Sequence, residues 1–148
     1  MRSDLRWDEF HDGRLHVLNA GNVRGSSKIA AYDMDGTIIT TKSGRVFPVD
    51  SKDWRLLYEN RTVKKLQTLY NEGYKIVIIT NQAGLASGKL KLGDFQSKVE
   101  GIVKALNGGN DTILVPIQLF CSAATRYKYL QIAACILINL RVLLLNFL

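Results

Sequence analysis

Two carboxylates separated by one residue, Asp33-Met34-Asp35, stand directly after a short apolar run and are followed by Gly36-Thr37. On a chain leaving a sheet, this spacing lets two acids divide the work of phosphoryl transfer. Asp33 at the strand end can attack phosphorus as a nucleophile, and Asp35 can protonate the leaving oxygen and later activate water. Gly36 permits the tight turn that follows. An acidic turn after a strand has the same composition, because Asp and Gly favour turns and caps. A calcium loop shares the Asp-x-Asp-Gly opening, but the Glu it requires further along is absent. At the end of a second apolar run, Thr80-Asn81-Gln82 offers a hydroxyl and two amides that can bind phosphate oxygens without adding negative charge. Simple capping of the strand is the other reading of that trio. Gly84-Leu85-Ala86-Ser87-Gly88-Lys89-Leu90 is not a nucleotide P-loop: three residues separate its glycines where four are needed, and Leu90 follows the lysine in place of Ser or Thr.

These side chains need elements to place them. Lys28-Ile29-Ala30-Ala31-Tyr32 reads as a buried strand with a polar end at Asp33. Val63, Leu66, Leu69 and Tyr70 fall at helical intervals from Asn60 onward, and Gly73 stands where such a helix stops. Tyr74–Thr80 is a second β-branched run. Residues 94–106 fit a second helix, with Phe95, Val99, Ile102, Val103 and Leu106 on one face. Thr112–Phe120 is a third strand-like run, weakened by Pro116. Strand, helix, strand, helix, strand is the α/β pattern of a mainly parallel sheet covered on both faces. Ligands bind beyond the carboxyl ends of such strands, so Asp33 and Thr80 are expected to open on one crevice.

The chain has 148 residues, an apolar share of 47%, and 20 basic against 13 acidic side chains. A disordered or collagen-like chain is excluded, and the surplus of positive charge suits a polyanionic partner. Cys121 and Cys135 are too few for a disulfide framework and are not spaced as a zinc clip. Met1-Arg2-Ser3-Asp4 lacks the apolar run of a secretory leader, so a reducing, intracellular setting is expected. Lys89, Lys91 and Lys98 can form a basic rim for a phosphodiester backbone, or simply a solvated helix start. His11 and His16 lie outside the crevice. Trp7 and Trp54 read as packing residues, with base stacking open to Trp54.

Asp33-Met34-Asp35-Gly36-Thr37 with Thr80 resembles the first two motifs of haloacid-dehalogenase-like phosphatases. Thr80-Asn81-Gln82 with Gly88-Lys89 is similar to the branch that holds histidinol-phosphatase-like enzymes and polynucleotide 3′-phosphatases. Lys28–Ala31, Ile38–Pro48 and Asp53-Trp54-Arg55 narrow the resemblance to the phosphatase domain of the bifunctional polynucleotide kinase 3′-phosphatase family, over about residues 20–127. The resemblance implies a Rossmann-like three-layer sandwich and Mg²⁺-dependent removal of 3′-phosphates at DNA strand breaks, a repair reaction in the nucleus. It implies Asp33 as the nucleophile that becomes an aspartyl-phosphate, Asp35 as general acid and base, and Thr80 as a phosphoryl binder, beside which the residues themselves offer the amide of Asn81. Asp33 and the main-chain carbonyl of Asp35 would hold the metal. The Thr40–Pro48 segment would border the DNA channel, with Lys42 and Arg45 meeting backbone phosphates, to which the basic rim read from the residues adds Lys89.

The same resemblance calls for a later basic residue and an acidic pair. The family would continue near Ala123–Tyr129 to Arg-Lys-Pro, whereas this chain runs into Leu130-Gln131-Ile132. Lys128 or Arg126 is the candidate to replace the missing lysine. No acid replaces the missing pair, because Asp111 begins a strand and belongs to the wrong edge of the sheet. The expected division is therefore a lead-in over 1–27, a partial phosphatase domain over 28–129, incomplete at its C-terminus, and an apolar tail over 130–148 outside the family. No P-loop kinase half is present. Fifteen of the last nineteen residues are apolar. A membrane span of that length would carry Arg141 at mid-segment, so a membrane role is disfavoured. Gln131, Asn139, Arg141 and Asn146 share one arc of a helical wheel, which allows a helix over the sheet; the favoured reading is a chain end of separate origin from the family's fold, with such a helix as its physical form. Two further functions stay open: a truncated form that binds nucleic acid without turnover, and a small-molecule phosphomonoesterase.

Overall fold

The computed structural model describes residues 4–124 and the main chain of 142–144. Leu5–Phe10 (β1) and Leu15–Ala20 (β2) form a hairpin, followed by Ile29–Asp33 (β3) and the short strands Ile39–Thr40 (β4) and Arg55–Leu56 (β5). Helix Glu59–Asn71 (α1), strand Lys75–Asn81 (β6), the short helix Ala83–Ser87 (α2), helix Leu92–Leu106 (α3), strand Ile117–Ser122 (β7) and strand Val142–Leu144 (β8) complete the order. The main sheet runs β1-β2-β7-β6-β3-β8. Its β7-β6-β3-β8 part is parallel, and β1 and β2 extend it antiparallel.

Period-2 alternation splits the strands between two apolar clusters. Ala30, Tyr32, Ile76, Ile78, Ile117 and Leu119 point to one face, where they meet Leu66 and Leu69 of α1 and the stripe Phe95, Val99, Ile102, Val103 and Leu106 of α3. Both helices lie on that face because the strand order advances in one direction from β3 to β6 to β7, and a right-handed crossover then always falls on the same side. Leu15, Val17, Ile29, Ala31, Val77 and Phe120 are buried on the opposite face. Among the described residues only strands contribute to that second cluster, so the sheet is seen here with one helical layer of the expected two.

The helices and the first two strands of the parallel core stand where the apolar spacing predicts them. Gly73 closes α1 with φ +88°, a backbone setting that L side chains avoid. The run expected over 112–120 becomes a strand only after Pro116, which has no N–H to give a central ladder. Residues 5–20, read only as part of a lead-in, are two strands of the sheet, and β2 pairs with β7 from Leu15↔Ser122 to Ala20↔Ile117. In the tail, Val142–Leu144 is extended where a helix was expected, and it pairs with Ile29–Ala31. The open edge of β3 has main-chain groups to satisfy, which favours an added strand. Gln131, Asn139, Arg141 and Asn146 lie outside the described residues. Among the described residues no helix is long and apolar enough to cross a membrane.

Candidate active site

β3 ends at Asp33 because the apolar run that fills the sheet ends there. Met34 then turns its side chain wholly into the core, while its N–H continues the ladder to the carbonyl of Ile79 at 3.2 Å. Along extended chain, residues two apart share a side, so Asp33 and Asp35 both emerge into solvent around the buried Met34. The carbonyl of Met34 accepts from the amides of Ile38 (3.0 Å) and Ile39 (3.1 Å), and the Gly36 N–H donates to the Ile39 carbonyl at 2.9 Å. This closed turn, with Gly36 at φ +78°, fixes where Asp35 stands.

The end of β6 lies beside it. Asp33 is opposite Ile79, and Thr80, which is 1% exposed, follows. Gln82 leaves the strand at the start of α2, its N–H donating to the Ser122 carbonyl at 2.8 Å. Its Nε2 donates to Asp35 Oδ2 (2.9 Å) and to Thr80 Oγ1 (3.0 Å), joining the two motifs. Asn81 Oδ1 is buried without a hydrogen-bond partner. Lost solvation pushes the Asp33 carboxyl above its ordinary value; the charge of Asp35 adds to this, and the main-chain amide of Met34 opposes it. Burial, with a contribution from Asp35, raises the Cys121 thiol to about 12, which makes it an inert neighbour of Thr80.

A cleft of about 530 Å³ opens here, with Asp35, Asn81 and Gln82 at its base and Arg45, Phe47 and Lys98 among its walls. One wall is the loop between β4 and β5. Asp53 is buried beneath it and accepts from the Ser43 hydroxyl (2.6 Å), the Ser43 amide (2.8 Å) and the Val49 amide (3.0 Å). Thr41 Oγ1 adds a bond to the Arg45 carbonyl at 2.7 Å. These contacts hold a rim on which Val46 is 89% and Phe47 80% exposed.

Of the residues singled out in the sequence, Asp33, Asp35, Thr80 and Asn81 gather at one sheet edge, and Arg45 lines the cleft. Lys42 and Lys89 are exposed but do not line it, whereas Lys98, reaching from α3, does. Lys128 and Arg126 lie outside the described residues, as does Cys135. Asp111 precedes β7 and pairs with Lys104 at 2.9 Å, at the edge of the sheet away from Asp33. Trp54 packs on the core, its ring against Gly101 of α3. Trp7 does so against Phe95, with ring centroids 6.3 Å apart, and its Nε1 donates to Glu100 at 3.1 Å. His16 is buried within β2. Sequence reasoning passed over Phe47 and the bridging geometry of Gln82; the first is an aromatic between Val46 and Pro48, and the second was visible only as one amide of a trio.

Residues 28–130 match the family model described as polynucleotide kinase 3 phosphatase. A 20.8 kDa uncharacterised protein of Autographa californica nuclear polyhedrosis virus is 44% identical over 96 residues, which are 65% of this chain and 47% of that one. The bifunctional polynucleotide phosphatase/kinase of Schizosaccharomyces pombe is 38% identical over 93 residues, 63% of this chain and 22% of that protein. The polynucleotide 3′-phosphatase ZDP of Arabidopsis thaliana is 38% identical over 115 residues, 78% of this chain and 15% of that one. The chain thus spans less than half the length of each of these relatives. Among solved structures, a HAD-like phosphatase from Mesorhizobium loti matches with a TM-score of 0.59 at 20% identity, over 80% of this chain and 53% of that one. A D,D-heptose 1,7-bisphosphate phosphatase from B. bronchiseptica, complexed with magnesium and phosphate, matches with a TM-score of 0.53 at 18% identity, over 74% and 63%. These two likenesses establish the haloacid-dehalogenase-like α/β fold. With its Asp33-Met34-Asp35 turn set beside Thr80, the chain belongs to the polynucleotide kinase 3 phosphatase family.

Proposed function

We propose that the chain hydrolyses phosphomonoesters at the 3′ ends of DNA, as a repair activity of the nucleus. The observation that carries this reading is the convergence of Asp33, Asp35 and Thr80 at the carboxyl ends of β3 and β6, beside a cleft walled by Arg45, Lys98 and the exposed ring of Phe47. Asp33 attacks phosphorus, and the ester P–O bond breaks with its electron pair passing to the leaving 3′ oxygen. Asp35 gives that oxygen its proton, which leaves an aspartyl-phosphate on Asp33. Asp35 then takes a proton from water, whose oxygen attacks phosphorus and releases Asp33. Thr80 and Asn81 bind the phosphoryl oxygens. The two cationic walls suit backbone phosphates, and Phe47 offers a surface on which a base can stack.

Mg²⁺ usually takes one or two carboxylates together with substrate oxygens and water. The Asp33 carboxylate and the main-chain carbonyl of Asp35 fit that donor set, and a cation there would offset both the lost solvation that chiefly raises the Asp33 carboxyl and the smaller push from the charge of Asp35. Bound, the ion would offset the charge of the phosphoryl group. Asp111, paired with Lys104 away from Asp33 and so no further metal ligand, supports a second reading: binding of DNA ends without turnover.

The test is phosphate release from a 3′-phosphorylated oligonucleotide with Mg²⁺, beside the Asp33→Asn variant and a small phosphomonoester. Release that the variant loses supports the first reading, and preference for the small ester replaces DNA with a small-molecule substrate. Binding without release supports the second. Retention of the oligonucleotide should fall with salt, at a log–log slope of about −0.9 per phosphate contacted on duplex and about −0.7 on single strands. A flat salt dependence sinks both nucleic-acid readings.

A further inference from the structure

The geometry points to Gln82 as a positioning residue that sets both the carboxyl of Asp35 and the hydroxyl of Thr80, an inference that rests on the phosphatase reading above. A side-chain amide carries two N–H donors on one nitrogen. Here Nε2 lies 2.9 Å from Asp35 Oδ2 and 3.0 Å from Thr80 Oγ1, so both donors are used at once. The base of this side chain is itself fixed, because the Gln82 N–H is tied to the Ser122 carbonyl and the Gln82 carbonyl accepts from Leu85 at 3.1 Å. Gln82 therefore ties together the end of β6, the end of β7 and the turn after β3.

Two consequences follow from the direction of those bonds. Asp35 stands on an exposed turn, where its carboxyl would otherwise rotate among staggered settings. With Oδ2 occupied by the amide, Oδ1 is the oxygen left to carry the proton to the leaving group. Thr80 Oγ1 accepts from Gln82, so its own hydrogen is left to be donated to a phosphoryl oxygen. One amide thus presents the acid and a phosphate donor together.

The separating experiment compares the unmodified chain, Gln82→Met, Gln82→Glu and Asp35→Asn on two esters with Mg²⁺: a 3′-phosphorylated oligonucleotide and p-nitrophenyl phosphate. The nitrophenolate leaves without a proton, so it bypasses the acid. Gln82→Met keeps the length of the side chain and removes the donors; Gln82→Glu keeps the shape and sets a second carboxylate against Asp35. Both variants are expected to lose about 10- to 100-fold in kcat/KM on the oligonucleotide, which reads the step that forms the aspartyl-phosphate and so the acid, less than the 10²–10⁴ of a lost general acid. Their loss on p-nitrophenyl phosphate is expected to be at least about tenfold smaller, the same sense of split as Asp35→Asn. Circular dichroism shows which variants are folded, and either folded variant suffices. Equal losses on the two esters, or no loss on the oligonucleotide, overturn the positioning role and leave the phosphatase reading standing. An unmodified chain inactive on both esters overturns the two together.

Discussion

Asp33 and Asp35 stand two residues apart, yet their surroundings treat them differently. Asp33, at the strand end, is pushed above its ordinary value by lost solvation and by the charge of its neighbour, whereas Asp35 is bound through Oδ2 to Gln82. A raised carboxylate that still ionises is a better nucleophile, and a tethered carboxyl is a better-aimed acid. Asp33→Asn is expected to abolish turnover, and acid-quenched reactions with labelled substrate should trap phosphate on the unmodified chain but none on the variant. Asp35→Asn should lower kcat on the oligonucleotide by about 10²–10⁴-fold, with KM moving far less. Steady-state kinetics checks it. The Asp-x-Asp spacing and its place after an apolar run made these two residues legible in the sequence. Lys98 was legible only as one of three lysines, because nothing local says which of them the fold turns toward the cleft.

At the scale of elements, the rim and the approach to β7 each hang on one polar side chain. The Asp53 carboxyl is held down to about 2, first by the Ser43 hydroxyl and then by the Val49 amide. Its folded value lies below the ordinary 3.8, so the latch is whole above that pH and weakens as pH falls toward 2. Proteolysis within residues 41–52 is therefore expected to quicken over that range in acid, and in Asp53→Ala to be fast at neutral pH. The same variant should raise KM for the oligonucleotide more than it lowers kcat. Asn107, buried after α3, accepts from the Leu114 (2.9 Å) and Val115 (2.8 Å) amides and donates to the Val103 carbonyl at 3.0 Å. Asn107→Leu orphans the buried Val115 amide, at about 1–3 kcal/mol, and frees the Leu114 amide, which stands on an exposed residue where water can satisfy it. A loss of about 3 kcal/mol lowers Tm by roughly 6–12 °C for a chain of this size, which differential scanning calorimetry can read.

For the whole molecule, the hairpin of β1 and β2 is part of the core sheet. Leu15, Val17, Leu18 and Ala20 are buried, and burying a large aliphatic side chain contributes about 1.5–3 kcal/mol. A chain begun at residue 24 loses that burial and bares the edge of β7, so it is expected to unfold or aggregate at temperatures where the full chain stays soluble. Thermal melts of the two preparations, read beside light scattering, decide it. The sequence by itself determined what is local. Apolar runs closed by Asp33 and Asn81, and helical stripes from Asn60 onward and along residues 94–106, follow from periodicity within a dozen residues, and with them came the α/β class and the two-carboxylate turn. Only the tertiary structure decided what joins distant segments: β2 beside β7 about a hundred residues later, Val142–Leu144 beside Ile29–Ala31, Lys98 and Phe47 on one cleft, and Gln82 between Asp35 and Thr80. Such pairings depend on complementary main-chain edges and on the direction in which a side chain leaves its element, and neither is written in the spacing of apolar residues along the chain.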